Sequence, residues 1–195
     1  MNQYFENNEN LKSKIQIKKV KIKNNDFEFM TDNGVFSKKG LDFGTRSLLE
    51  TIDTNAITGN VLDFGCGYGP IGIYIASMTN AHVHMIDINR RSLELARKNV
   101  NLNHVNVTIY ESNIYENVTE KFDYIISNPP IRVGKTILYK ILFEAKEHLN
   151  KNGKLIIVIN KDQGAKSVMK DLEKEYQVHL LDKNKGFYII EAIYV

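Results

Sequence analysis

Hydrophobic positions alternate with lysines from Lys14 to Ile22, where Ile15, Ile17, Val20 and Ile22 stand between Lys14, Lys18, Lys19 and Lys21. A period of two predicts a half-exposed strand, and the change of phase at Lys18-Lys19 predicts a bulge. Asp26 to Phe29 alternates in the same way, and Asn24-Asn25 suits a turn between the two runs, so a β-hairpin is expected. The polar residues before it, 1 to about 12, are expected to be frayed. After Gly40 the period becomes helical through Leu41, Thr45, Leu48, Leu49 and Ile52, and fades at Thr54-Asn55.

From residue 60 strand and helix patterns alternate. Strands are predicted over 60–64, 82–86, 105–110, 122–127 and 153–160, and helices over 70–78, 90–102, 135–149 and 163–174. Pro70 stands in the first turn of its helix, where a missing N–H does no harm. The 90–102 helix places Leu93, Ala96, Arg97 and Val100 on one face; the 135–149 helix turns Ile137, Ile141, Leu142, Ala145 and Leu149 inward. Two last strands, 176–181 and 187–195, are joined by 182–186 and should pair antiparallel. This alternation implies an α/β fold: a mostly parallel sheet with helices on both faces and right-handed crossovers. The expected organisation is a hairpin-and-helix extension over residues 1–55, packed on a strand–helix domain over residues 56–195.

Composition narrows the class. The chain has 195 residues, 43% hydrophobic and 25% charged, enough to bury a core without staples. A single cysteine, Cys66, excludes an intrachain disulfide and a Cys-rich metal site. No apolar run approaches the roughly 18 residues of a membrane span, and the first residues lack the regions of a signal peptide, so a cytoplasmic protein with no membrane partner is expected. The net charge of +3 permits a polyanionic partner without requiring one. The densest basic stretch, Lys12, Lys14, Lys18, Lys19, Lys21 and Lys23, reads either as a solvated strand face or as a contact for a phosphate backbone.

The first strand of the alternating region runs into Asp63-Phe64-Gly65-Cys66-Gly67-Tyr68-Gly69-Pro70-Ile71-Gly72. Glycines between a strand and a helix permit a tight turn and close approach of a ligand to the main chain, and the helix behind offers free N–H groups. Gly67-x-Gly69-x-x-Gly72 matches the dinucleotide fingerprint formally. Asp63, however, would repel a pyrophosphate and suits a cofactor carrying a positive charge. Asp87 closes the next strand, 20 residues after Gly67, where a carboxylate can accept both ribose hydroxyls of an adenosine; its alternative is a residue near a helix N-cap. After the third strand, Asn113 stands where an adenine edge would be met, with a turn asparagine as the alternative.

Two of the three prolines sit together in Ser127-Asn128-Pro129-Pro130-Ile131. Each proline fixes φ, removes a donor and drives its predecessor into extended geometry. The polar groups left free are carbonyls and the Asn128 side chain. Such acceptors can hold the N–H bonds of a planar amino group and aim its lone pair at a methyl group, by positioning and electrostatic preorganisation.

Asp63-x-Gly65-x-Gly67-x-Gly69, Asp87 and Asn128-Pro129-Pro130 resemble the class I S-adenosylmethionine-dependent methyltransferases that act on amino nitrogens. Ser127 to Lys135, with Gly34-Val35-Phe36-Ser37 and Asp42-Phe43-Gly44-Thr45-Arg46, resemble more specifically the small-domain (RsmC-like) family, which includes bacterial small-subunit rRNA guanine-N2 methyltransferases. The resemblance runs from about residue 14 to the end. It implies a Rossmann-like seven-stranded mixed sheet with an antiparallel C-terminal strand, and S-adenosylmethionine as cofactor. It implies Asp63, Gly65, Cys66, Gly67 and Gly69 around the methionine end and Asp87 with Ile88 at the ribose. Asn113 with Ile114 would meet the adenine, and Asp42-Phe43-Gly44-Thr45 would lie near the cofactor carboxylate or close the pocket. Asn128, Pro129 and Pro130 would grip the target amino group, Asn128 also bordering the cofactor.

Two departures shape the substrate side. Many amino-methyltransferases carry Tyr or Phe after the proline pair to stack on the base; here it is Ile131. Phe36 becomes a candidate stacker, beside its reading as a hairpin-core phenylalanine. The chain also leaves no room for the second domain of some members, so RNA contact is expected from the hairpin and the catalytic face. Arg132 and Lys135 follow the motif at a helix N-terminus, where the dipole does not favour cations, which points to phosphate contact.

Cys66 lies in the glycine loop, so a thiolate attack on a base is not expected. The five histidines are scattered, and no metal site is expected. The leading reading is methyl transfer to guanine N2 of small-subunit (16S) rRNA, with RNA or the small ribosomal subunit as partner. Adenine N6 and a protein glutamine amide present the same planar amino group and stay open. A non-catalytic cofactor-binding module would not need Asn128-Pro129-Pro130, and Asp63 speaks against a nicotinamide dehydrogenase.

Overall fold

The computed structural model describes residues 14–32 and 40–195. Strands β1 (Gln16–Ile22) and β2 (Asn25–Thr31) form an antiparallel hairpin, followed by α1 (Phe43–Thr51). A seven-stranded sheet then takes β3 (Asn60–Phe64), β4 (His82–Asp87), β5 (Thr108–Glu111), β6 (Phe122–Ser127), β7 (Leu149–Asn160), β8 (Gln177–Asn184) and β9 (Phe187–Ile193). Their spatial order is β5-β4-β3-β6-β7-β9-β8. β3 to β7 run parallel, and β9 lies antiparallel between β7 and β8. Helices α2 (Pro70–Met78), α3 (Arg90–Leu102), α4 (Lys135–Glu144) and α5 (Ala165–Leu172) complete the fold.

Alternate strand residues feed two cores. Val61, Val83, Met85, Ile126 and Val158 meet Leu48, Ile73, Leu93 and the hairpin's Phe27 and Phe29 on one face. Leu62, Ile86, Ile125 and Ile157 meet Ile141, Leu142, Val168 and Leu172 on the other. The chain winds outward from β3 through β4 to β5, then returns to β6 on the other side of β3. This reversal opens a crevice at the C-terminal ends of β3 and β6, the place where doubly wound sheets bind ligands. The glycine loop and the Asn-Pro-Pro segment both leave the sheet there.

The hairpin is tied down by side-chain amides. Asn99 Oδ1 accepts from Met30 N at 2.6 Å and its Nδ2 donates to Met30 O at 2.9 Å. Asn103, one turn on, repeats the pattern with Glu28 at 3.2 and 2.7 Å. Two asparagines of α3 thus satisfy the exposed edge of β2 as a neighbouring strand would. Arg91 pairs with Asp32 at 2.8 Å beside them.

Several expectations need correction. No bulge occurs at Lys18-Lys19: the β1–β2 register is unbroken from Gln16–Thr31 to Ile22–Asn25. The phase change instead puts Ile17 outward, 54% exposed, and Val20 and Ile22 inward. The strand expected from 105 begins at Thr108, and the helix expected over 135–149 ends at Glu144, where a short 3-10 turn leads into β7 at Leu149. A second 3-10 turn replaces the first residues of the helix expected from 163. The terminal hairpin is longer than expected: its strands reach Asn184 and Phe187, leaving a two-residue turn in which Lys185 and Gly186 both have positive φ, the geometry that matches strand twist. Arg97 is exposed, and Leu95 and Asn99 share the buried face of α3 instead. Leu138, rather than half-buried Ile137, leads the buried face of α4. No helix among the described residues is long and apolar enough to cross a membrane.

Candidate active site

The glycine loop turns between β3 and α2 with Gly65 at φ 68°, Gly67 at φ 56° and Gly69 at φ 102°. A Cβ at Gly65 or Gly67 would meet nothing within 4 Å, so both face open space. A Cβ at Gly72 would lie 2.5 Å from Met85 Cγ, so Gly72 serves close helix–sheet packing. Asp63 is fully buried beneath the loop. Its Oδ2 accepts from Gly72 N at 2.8 Å, while Oδ1 has no hydrogen-bond partner. Burial, with the charge of Asp87 adding, pushes the Asp63 carboxyl up to about 7 against the pull of the Gly72 N–H. The Cys66 thiol is buried and pushed up by desolvation and by both carboxylates, so it is no nucleophile.

Asp87 braces the loop from β4. Oδ2 accepts from Gly67 N at 2.9 Å and Oδ1 from Asn89 N at 2.8 Å. Desolvation raises its carboxyl, with these N–H groups acting against it. Asn89, not Asp87, caps α3 by accepting from Ser92 N at 3.1 Å. Ile88 follows, half-buried. After β5, Asn113 is exposed and its Nδ2 donates to Glu116 at 3.1 Å, leaving its carbonyl free. Ile114 stands at φ 54°, an uncommon backbone state for a β-branched residue.

The decisive arrangement is at Asn128. Its Nδ2 donates to Asp42 Oδ1 at 3.2 Å and to Thr45 Oγ1 at 3.0 Å. A carboxylate accepts only, so the amide must present its NH₂ to Asp42 and turn its oxygen the other way. The same Asp42 oxygen accepts from Thr45 N at 3.1 Å as the N-cap of α1. One carboxylate therefore starts a helix and orients a side chain 86 residues away. Below, Ser127 Oγ donates to Phe64 O at 2.7 Å, stitching the exit of β6 to that of β3. Asp42 as the orienting group was not foreseen from spacing; the only signal was its place in the Asp-Phe-Gly-Thr segment.

Residues 131–133 form a 3-10 turn with Val133 N donating to Pro130 O at 3.2 Å. Arg132 and Lys135 are exposed beside it, and Lys135 Nζ sits 4.9 Å from the Tyr139 ring centroid. Phe36 and the rest of its Gly-Val-Phe-Ser segment lie outside the described residues. Among the described residues no three His, Cys, Asp or Glu side chains are grouped to hold a metal. A shallow groove lined by Lys121, Lys146, Glu147, Glu175 and Tyr194 lies at the opposite edge of the sheet and contains none of the motif residues.

The profile of the family described as methyltransferase small domain matches residues 26–191. The chain belongs to that family. It is 43% identical to the Bacillus subtilis (strain 168) protein described as uncharacterized protein YbxB, over 97% of this chain and 96% of that one. It is 43% identical to ribosomal RNA small subunit methyltransferase C of Haemophilus influenzae (strain Rd), over 74% of this chain but 45% of the relative. Among solved structures, the T. thermophilus 16S rRNA N2 G1207 methyltransferase in complex with AdoMet and guanosine shares the fold, with TM-score 0.83 and 24% identity over 93% of this chain and 51% of that one. The chain thus spans about half the length of these two methyltransferases. The Thermus structure holds AdoMet, and the residues present here fit such a cofactor. The open cradle at Gly65 and Gly67 and the unsatisfied, buried Asp63 Oδ1 suit a ligand that brings a cation to the loop.

Proposed function

We propose that this S-adenosylmethionine-dependent methyltransferase methylates the exocyclic amine of guanine, N2, in small-subunit rRNA. The observation that carries the reading is the oriented amide of Asn128, whose oxygen is free to accept from an amino group. When bound, S-adenosylmethionine supplies an electrophilic methyl group. Gly65, Gly67 and Gly69 would hold its methionine end, Asp63 would face the ammonium from beneath, Asp87 would accept from the ribose hydroxyls, and Asn113 and Ile114 would border the adenine.

Asn128 Oδ1 and the carbonyls of the proline segment then hold the N–H bonds of the target amine. That contact favours a pyramidal nitrogen and directs its lone pair toward the cofactor side. It also stabilises the positive charge that develops on nitrogen as the methyl leaves its sulfur, and the nitrogen returns to neutrality by giving one proton to water. Residues 1–55 act in this reading as an extension that lends Asp42 and Thr45 to a catalytic domain of residues 56–195. The similarity to the Haemophilus and Thermus enzymes supports the rRNA substrate. Because adenine N6 and glutamine amides offer the same geometry, the test uses all of them: labelled S-adenosylmethionine with 30S subunits, free rRNA, tRNA and ribosomal protein from a strain lacking the gene. N2-methylguanosine in the small-subunit fraction is expected. Label in another nucleoside or in protein would replace the substrate, and no label with donor still bound would leave a binding module.

A further inference from the structure

The densest basic run of the sequence lies on the hairpin, where acids stand opposite two of its lysines. Lys19 and Lys21 face Glu28 and Asp26 across the hairpin, with Lys19 Nζ 3.5 Å from Glu28. Lys23 Nζ donates to Ile52 O at 2.8 Å, closing the end of α1.

A different set of cations gathers near Asn128. Because β9 runs antiparallel, the β8–β9 turn reaches the same edge of the sheet as the Asn-Pro-Pro segment. Lys161 N donates to Gly186 O at 2.7 Å there, and a Cβ at Gly186 would lie 3.3 Å from the Lys161 side chain. Lys185 Nζ stands 5.1 Å from the Phe43 ring centroid, whereas Lys183 lies with Tyr188 on the other face of the sheet. Phe43 follows Asp42 directly and packs on Phe187 with centroids 5.6 Å apart. Gly44 makes room for this contact, since a Cβ there would lie 2.9 Å from the Phe187 ring. Among the described residues neither Lys161 nor Lys185 is in an ion pair. Nearby Asp182 instead accepts from Thr51 Oγ1 at 3.4 Å.

A half-buried ring beside cations without acidic partners suits single-stranded nucleic acid, which offers a π-face and a phosphate at each nucleotide. We propose that Phe43 with Lys161 and Lys185 forms a docking platform for the RNA strand flanking the target nucleotide. The ring stacks on a neighbouring base and the ammonium groups contact phosphates. The platform rests on the RNA reading above, and it moves the expected RNA contact from the outer face of the hairpin to the β8–β9 side of the site.

The test uses the full chain and a labelled single-stranded RNA of about 12 nucleotides, within the span one such groove covers. Lys161→Gln/Lys185→Gln should lower the slope of log K against log salt by about 1.4, at about 0.7 per cation removed. Phe43→Leu keeps an apolar contact for Phe187 and should weaken RNA binding about tenfold. In methylation assays the KM for RNA should rise more than kcat falls. Donor affinity and Tm serve as fold controls, and Lys19→Gln/Lys21→Gln should leave the slope unchanged. An unchanged slope in the double variant, with RNA still methylated, would overturn the platform and leave the proposed reaction standing. A wild-type protein that binds and methylates no RNA, but does methylate protein, would overturn both.

Discussion

Exchanging the partners at Asp42 and Asn128 gives the sharpest test of the site. Asn128→Asp keeps the shape of the side chain but sets a second carboxylate against Asp42. At the 3.2 Å separation of the contact atoms, two unit charges repel by about 5 kcal/mol at an effective dielectric constant of about 20. Both residues are half-buried, so water and salt leave about 2–4 kcal/mol of that repulsion. Tm should fall by about 5–15 °C for a chain of this size. Transfer should fall about 100-fold, as when one preorganised hydrogen-bonding group of an active site is lost. Asp42→Asn alone should be mild, about 1 kcal/mol, because asparagine also caps helices and its oxygen still accepts from the Asn128 amide. The double variant restores an amide–carboxylate hydrogen bond with the roles reversed. The thermodynamic cycle should therefore show a coupling of about 2–4 kcal/mol and a partial return of activity. Thermal unfolding and single-turnover transfer from labelled S-adenosylmethionine would read both. If Asn128→Asp is as stable as wild type, or the double variant merely sums the singles, Asp42 does not orient Asn128 and serves only as a helix cap.

Asp63 gives a pH signature. Its folded-state value of about 7 exceeds the ordinary 3.8, so the folded state without donor binds more protons and loses stability as pH rises across that window, with the full loss above about 7. Differential scanning fluorimetry from pH 4 to 8 should show a decline that Asp63→Asn flattens; parallel profiles would contradict the burial argument. Asp87→Ala should weaken donor binding by about 1.5–3 kcal/mol, the range for hydrogen bonds to a charged group, and calorimetry showing wild-type affinity would remove it from the ribose role. Asn99→Ala strands the N–H and C=O of Met30. It should cost about 2–4 kcal/mol for unsatisfied buried groups and speed hydrogen exchange at Met30; unchanged exchange would mean another element covers that strand edge.

Much of this protein is legible along the chain, because burial repeats with the period of each element. Val61 to Phe64, Pro70 to Met78 and Arg90 to Leu102 begin and end where their apolar pattern and caps do. The glycine loop is legible because glycine adopts the positive φ at residues 65, 67 and 69 at no steric cost. Asp63, Asp87 and Asn128 stand out because a carboxylate or an amide at a strand end is short-range chemistry.

What tertiary structure alone decided is which groups meet. The orientation of the Asn128 amide depends on Asp42, 86 residues earlier, and the hairpin's docking depends on amides about 70 residues later. No local period encodes such contacts, since a hydrogen bond needs its partners placed within a few tenths of an ångström by the packing between them. The lysine run shows the converse. As a composition it read either as a solvated face or as a phosphate contact, and the pairing of β1 with β2 set acids opposite Lys19 and Lys21. The antiparallel insertion of β9 brought Lys185 beside Phe43 and Gly186 beside Lys161, at the end of the sheet where the site opens.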